Sequence, residues 1–232
     1  MNLMKRRLRY SEKKFFDLYH LHYYFSKEPE IGGTRKMIID FKNYEEGSVR
    51  ELIFEALEKL RALDIDHHVL VIRALMSNEL IIGDMGSGSL DRLGTSLAGV
   101  FGCDYDPGVI YKRRHTVAIK SLNILQRQAA LDGIYAFNRS GFESLKRVLI
   151  IDDIVTTGTT ARAIASPILQ AFPTAEITVF AIAWTPTARQ QEYLHKIEER
   201  GNLLNEPEMQ YGRSRDWIDT DFEFGDTHIA VE

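Results

Sequence analysis

The sequence predicts an α/β protein: a mostly parallel twisted sheet flanked by helices. Three observations carry that prediction. Near-continuous aliphatic runs, His68 to Ala74 and Val148 to Ile151, have the pattern of strands covered on both faces. Segments with apolar residues at helical spacing alternate with them. The 232 residues, 44% hydrophobic and 27% charged, suit one sizeable globular domain and argue against a disordered or fibrous chain.

Along the chain, residues 11 to 25 hold Phe15, Phe16, Leu18, Tyr19, Leu21 and the pair Tyr23-Tyr24, read here as a helix whose aromatics pack on something larger. A base-stacking platform is the alternative, disfavoured because no basic residues are interleaved. Met37 to Phe41 reads as a short strand, and Ser48 to Leu63 as an amphipathic helix with Ser48 as N-cap. His68 to Ala74 is a strand interrupted late by Arg73, and Ser96 to Phe101 is helical. Between them the run Gly83-Asp84-Met85-Gly86-Ser87-Gly88-Ser89 is a connector or an anion-receptive loop, without the Gly-Lys-Ser/Thr ending of a nucleotide P-loop. Val109 to Tyr111 (strand), Ser121 to Leu131 (helix), Arg147 to Ile151 (strand), Thr159 to Phe172 (helix) and Ile177 to Trp184 (strand) complete the alternation.

Composition excludes several functions. A net charge of -4 is unsuited to coating nucleic acid through a general basic field. The basic run Lys5-Arg6-Arg7-Leu8-Arg9 lacks the apolar stretch of a secretory signal and reads as a solvated N-terminal segment. No apolar run approaches the roughly 20 residues of a membrane-spanning helix. The single cysteine, Cys103, permits neither an internal disulfide nor a multi-thiolate zinc site, which fits a cytoplasmic location. Cys103 is expected to be a small buried residue, and His20, His22, His67 and His68 to be core or surface histidines rather than metal ligands.

The chemistry concentrates in Val148 to Thr160. An all-aliphatic strand delivers Asp152 and Asp153 at its carboxyl end, where open α/β sheets keep their ligands. Adjacent carboxylates repel unless solvent, a cation or hydroxyl donors satisfy them, and a vicinal diol offers two such donors. Val155 leads into Thr156, Thr157, Gly158, Thr159 and Thr160, which supply hydroxyls and backbone N–H groups at the mouth of a helix, a favourable seat for phosphate. An Asp-Asp pair alone would also suit a Walker B element, a receiver-type metal site or a helix cap. The Thr-Thr-Gly-Thr-Thr that follows favours a phosphoribosyl group.

These 13 positions resemble the phosphoribosyl-pyrophosphate motif of type I phosphoribosyltransferases. The resemblance implies their fold, with a small variable hood built from terminal segments, and divides the chain into an N-terminal extension (1–36), a core domain (37–190) and an acidic C-terminal extension (191–232). It implies Asp152 and Asp153 on the ribose hydroxyls, touching metal only through ribose or water, with Val155, Thr156, Thr157, Gly158, Thr159 and Thr160 around the 5-phosphate. Residues 38 to 185 look most similar to the ComF-type branch, through Ile39-Asp40-Phe41-Lys42-Asn43-Tyr44 and the spacing of Arg114, Thr116, Arg127 and Ala136-Phe137. The Cys-rich zinc module of many ComF-like proteins is missing. The pyrophosphate loop reads Arg73-Ala74-Leu75-Met76-Ser77, and Ile119 and Ala130 stand where that branch has Gln and Asn.

The reaction so implied is displacement of pyrophosphate by a nitrogenous base, with Mg²⁺ as cofactor. Arg73 and Ala74 are expected at the pyrophosphate, because a charge ending an apolar strand must be paired or bind an anion. Lys112, Arg113 and Arg114, with Lys120 and His115, are placed by the resemblance on a mobile loop over the site, a solvated basic stretch being the alternative. The expected ligands are phosphoribosyl pyrophosphate and a base or nucleotide, with a protein partner through the terminal extensions and a homodimer as further options. A non-catalytic phosphoribosyl-pyrophosphate or nucleotide sensor acting on a protein or nucleic-acid partner is the second functional class. A domain that has kept the fold and lost its ligand is the third.

Overall fold

The computed structural model describes residues 3–11, 14–25, 34–76, 79–81, 88–115, 124–188 and 190–191. Six strands form the main sheet in the order β1-β2-β8-β7-β3-β4, all parallel except β1, which runs antiparallel to β2. The strands are β1 (Met4–Arg9), β2 (Phe15–Tyr23), β3 (Val69–Arg73), β4 (Asp104–Tyr105), β7 (Arg147–Val155) and β8 (Glu176–Trp184). A separate antiparallel pair joins β5 (Ile110–Lys112) to β6 (Tyr135–Phe137). The helices are α1 (Thr34–Lys42), α2 (Glu46–Leu60), α3 (Ser89–Phe101), α4 (Ile124–Leu131) and α5 (Thr159–Ala171).

Alternation along β7 and β8 builds a core on each sheet face. Leu149, Ile151, Phe180 and Ile182 point to α1, α2 and α3, where they meet Ile38, Phe41, Leu52, Leu60, Leu93 and Leu97. Val148, Ile150, Val179 and Ala181 point to α5 and the β5–β6 pair, meeting Ala161, Ile164, Ile168, Ile110 and Tyr135. The α/β class, the mostly parallel sheet and its flanking helices are therefore as the alternating pattern predicts.

Two elements are corrected. Residues 15–23 are the strand β2, not a helix: Phe16, Leu18 and His20 alternate with half-exposed Asp17 and Tyr19, and β2 pairs in parallel with β8. Clustered aromatics mimic a helical stripe, but their rings pack as readily on a pleated surface, and the period of two decides. Conversely, residues 34–42 form the helix α1 rather than a strand at 37–41, burying Ile38 and Phe41 one turn apart. The basic N-terminal run is not a free solvated segment. It is the edge strand β1, with Lys5 and Arg7 exposed while Leu8 is buried. Smaller shifts occur at helix starts: α2 begins at Glu46 behind Glu45, so Ser48 is not its cap, and α3 begins seven residues before Ser96, at Ser89. Cys103 is buried, as expected.

Strands β1 and β2, from the N-terminal part of the chain, are thus members of the main sheet. The proposed hood residues beyond 191, the Gly83–Ser87 part of the glycine loop, Ser77, Thr116, Ile119 and Lys120 lie outside the described residues. Among the described residues no helix is long and apolar enough to cross a membrane.

Candidate functional site

β7 carries the aliphatic run through the middle of the sheet and continues to Val155, so Asp152 and Asp153 belong to the strand itself. Asp152 Oδ1 accepts the Asp153 N–H at 2.9 Å, and Asp153 Oδ1 accepts the Ile154 N–H at 2.7 Å. Burial and the neighbouring Asp153 charge hold the Asp152 carboxyl well above the usual carboxylate range. Among the described residues the cation paired with them is Lys42, whose Nζ donates to Asp153 Oδ2. Burial opposes the Lys42 charge, but the Asp153 carboxylate outweighs it and raises the ammonium above its ordinary pKa.

Lys42 is the last residue of α1, and local geometry aims it. Tyr44 closes that helix in the left-handed region at φ 64°, Glu45 N–H returns to Asp40 O at 2.8 Å, and the Ser89 hydroxyl of α3 donates to Phe41 O. Its role was masked in the sequence by the strand reading of 37–41, which would have sent alternate side chains to opposite faces. A cation in the last turn before a helix-terminating Asn-Tyr was the available signal.

Beyond Val155, whose carbonyl accepts the Thr185 N–H at 2.9 Å, the chain turns through Thr156, Thr157 and Gly158 into α5. Gly158 caps the helix at φ 70°, a conformation that side chains rarely adopt. Thr156 is exposed, Thr157 and Thr160 are half-buried, and Thr159 is buried with its hydroxyl 2.8 Å from that of Thr157. The loop therefore presents hydroxyls and the free N–H groups of a helix start next to two carboxylates, as the motif predicts. A Cβ on Gly158 would lie 2.9 Å from Leu8 Cδ1, so β1 is packed directly on the cradle. Gly158→Ala is expected to cost about 1–2 kcal/mol from the left-handed backbone alone, measured by urea unfolding, with a further steric loss. Adding Leu8→Ala should remove the steric part, and strictly additive losses would count against this contact.

The remaining predicted site residues divide. Arg73, expected at the pyrophosphate, is 1% exposed and already paired: Nη1 and Nη2 reach Glu79 Oε2 and Oε1 at 2.8 and 2.7 Å, and Nε reaches Asp91 Oδ1 at 2.7 Å. In this structure its guanidinium is held by these two carboxylates. The buried charge at the strand end was a sound signal, but its partners come from later segments that no local pattern connects to it. Ala74 is buried, and its N–H donates to Ile151 O at 2.8 Å, which places the turn after β3 beside Asp152. Glu79 Oε2 accepts the Met76 N–H at 2.7 Å, fixing that turn from within.

Lys112, expected on a mobile loop, is instead on β5 and buried, its ammonium donating to the carbonyls of Leu75 and Met76. Burial pushes its pKa down to about 8, against the pull of Glu79. Arg113, Arg114 and His115 follow β5 and are exposed. Among the described residues no group of three or more His, Cys, Asp or Glu could hold a metal ion, and the His67 and His68 rings lie tilted against each other, centroids 3.8 Å apart. A concavity of about 600 Å³ between α2 and α3, lined by Arg50, Phe54, Leu57 and Arg92, shares no residue with this site.

No family model matches the chain, and no curated protein matches it. Among solved structures it is similar to adenine phosphoribosyltransferase from Leishmania tarentolae, with a TM-score of 0.38 and 11% identity over 72% of this chain and 91% of that one. It is also similar to adenine phosphoribosyltransferase from Saccharomyces cerevisiae, in a structure complexed with an imino-altritol bisphosphate and adenine, with a TM-score of 0.34 and 14% identity over 88% of this chain and 90% of that one. Scores this low establish no shared function, and the functional reading rests on the residues themselves.

Proposed function

We propose that the chain binds 5-phosphoribosyl-1-pyrophosphate and acts as a phosphoribosyltransferase-type protein, as its ComF-like sequence resemblance implies. One observation carries the reading: Asp152 and Asp153 lie in the carboxyl-terminal part of the central strand, which runs on through Val155 into the Gly158 turn that opens α5. A ribose 2,3-diol donates to the carboxylates while the 5-phosphate sits on the Thr156–Thr160 N–H groups and hydroxyls. The turn at Ala74 is beside Asp152, so the pyrophosphate at C1 extends toward it.

In the reaction a nitrogen of the accepting base forms a bond to the anomeric carbon, the C1–O bond breaks with its electron pair leaving on pyrophosphate, and the base sheds a proton. Mg²⁺, when bound, lowers the charge of the leaving pyrophosphate. The residues fit it only indirectly: Asp152 and Asp153 lack a third protein ligand among the described residues, and Lys42 occupies Asp153. They would act on the ion through ribose oxygens or water. Lys42 stabilises the resting carboxylates.

The withdrawal of Arg73 and Lys112 into internal contacts favours a second reading, a protein that binds this ligand and reports it to a partner without turnover. Calorimetric titration with phosphoribosyl pyrophosphate and Mg²⁺, followed by pyrophosphate-release assays over a panel of bases, separates the two. Binding with release supports the transferase, and binding without release supports the sensor. No binding removes both.

A further inference from the structure

We infer that Arg162 completes the phosphate cradle and that strand β1 positions it, an inference that rests on the ligand reading above. Arg162 lies one turn into α5, where helix geometry sends a side chain back toward the N-terminus. Its Nη2 is 3.3 Å from Thr159 Oγ1, the hydroxyl that also meets Thr157, and its Nη1 donates to the Arg9 carbonyl at 3.1 Å. Among the described residues no carboxylate pairs with this guanidinium, although it is half-buried. Burial alone holds its pKa below the ordinary guanidinium value. Arg73 shows the opposite arrangement in the same chain, with two carboxylates around one guanidinium.

An unneutralised, half-buried cation is costly unless an anion joins it. The neighbouring groups are all acceptor or donor partners of a phosphate: the Thr157 and Thr159 hydroxyls and the first N–H groups of α5. A guanidinium fork with one arm on a carbonyl keeps further N–H donors for a dianion. That carbonyl arm is set by β1, which packs Leu8 on Gly158 and lends the Arg9 carbonyl. Two residues away, Arg6 lies 3.7 Å over the Trp184 ring, and Trp184 pairs with Val155 at the start of the cradle. The N-terminal strand thus lends the site a scaffold. The ligand class that this arrangement takes is a phosphate monoester dianion on a sugar, rather than an unphosphorylated nucleoside.

The test compares wild type with Arg162→Gln and Arg162→Lys by calorimetry, using ribose 5-phosphate, ribose and phosphoribosyl pyrophosphate as probes. Arg162→Gln is expected to weaken both phosphorylated ligands about ten- to a hundredfold, and Arg162→Lys less, while ribose binding is unchanged. Equal affinity of Arg162→Gln and wild type for ribose 5-phosphate overturns the inference while leaving the Asp152–Asp153 reading intact. Absence of binding by wild type overturns both. Should Arg162→Gln not fold, the Arg162 Nε–H resonance of the wild-type chain decides: a shift on adding ribose 5-phosphate but not ribose supports the assignment, and no shift overturns it.

Discussion

Arg73→Ala is expected to destabilise the protein by about 3–5 kcal/mol, the loss typical of removing one partner from a buried ion pair. The substitution strands two acids. Glu79 is fully buried and receives both terminal nitrogens of Arg73, while Asp91 receives Nε together with the Tyr105 hydroxyl at 2.5 Å and the Gly88 N–H at 3.0 Å. Burial pushes the Asp91 carboxyl up, but Arg73 and these donors outweigh it and hold the pKa below the usual value. A depressed folded pKa contributes stability above the unfolded value near 3.9, and that contribution is lost as pH falls through the folded value. The wild type should therefore lose stability on acidification in a way that Arg73→Ala largely lacks. Arg73→Lys should rescue little, because an ammonium cannot serve Glu79 through two parallel bonds while also reaching Asp91. Urea unfolding at pH 7 and at a series of pH values from about 4 down to about 2 measures both effects. A loss under about 1 kcal/mol for Arg73→Ala would show that the network is not structural, and would return Arg73 to candidacy as an anion ligand.

What could be read from the sequence, and what could not, follows from the range of the interactions. Val148 to Thr160 was legible because strand, carboxylates, turn and helix start are contiguous, so local pattern and three-dimensional site coincide. The sheet core was legible for the same reason: Leu149 and Ile150 must face opposite layers whatever lies there. The segments 15–23 and 34–42 were exchanged in type because short apolar stretches satisfy both periods, and the choice is made by pairing with β8, more than 150 residues away in sequence. The internal partners of Arg73 and Lys112 have no signature in the sequence. Glu79 sits six residues from Arg73, Asp91 eighteen, and the Lys112 acceptors are carbonyls of Leu75 and Met76, contacts invisible to motif reading. The N-terminal basic run was the least legible. Its function as an edge strand on the cradle depends on Leu8 meeting a glycine 150 positions later.

Asp152→Asn combined with Asp153→Asn is expected to weaken phosphoribosyl-pyrophosphate binding by about 3–6 kcal/mol, from two charge-assisted hydrogen bonds at about 1.5–3 kcal/mol each. Stability should move the other way. Asp152 has its pKa raised by burial and by the Asp153 charge, so the folded state binds more protons than the unfolded one above pH 4. That contribution is fully present below the unfolded value and lost as pH rises through the folded one, so the empty wild-type protein is penalised at neutral pH for keeping both acids. Asparagine at 152 removes the penalty, and Asp152→Asn alone should unfold at a higher temperature than wild type at pH 7.5 and at a similar one at pH 4. Ligand affinity has the inverse slope, because ribose hydroxyls need an ionised acceptor and so bind more tightly as pH climbs through the raised pKa. Asp153→Asn alone differs, since it also removes the carboxylate that holds the exposed Lys42 ammonium, and the stability gain should be smaller. Thermal melts and calorimetry across pH 4 to 8 resolve these opposed slopes. A pair of carboxylates without a ligand would show the stability slope alone, whereas a pair that holds the ribose must show both.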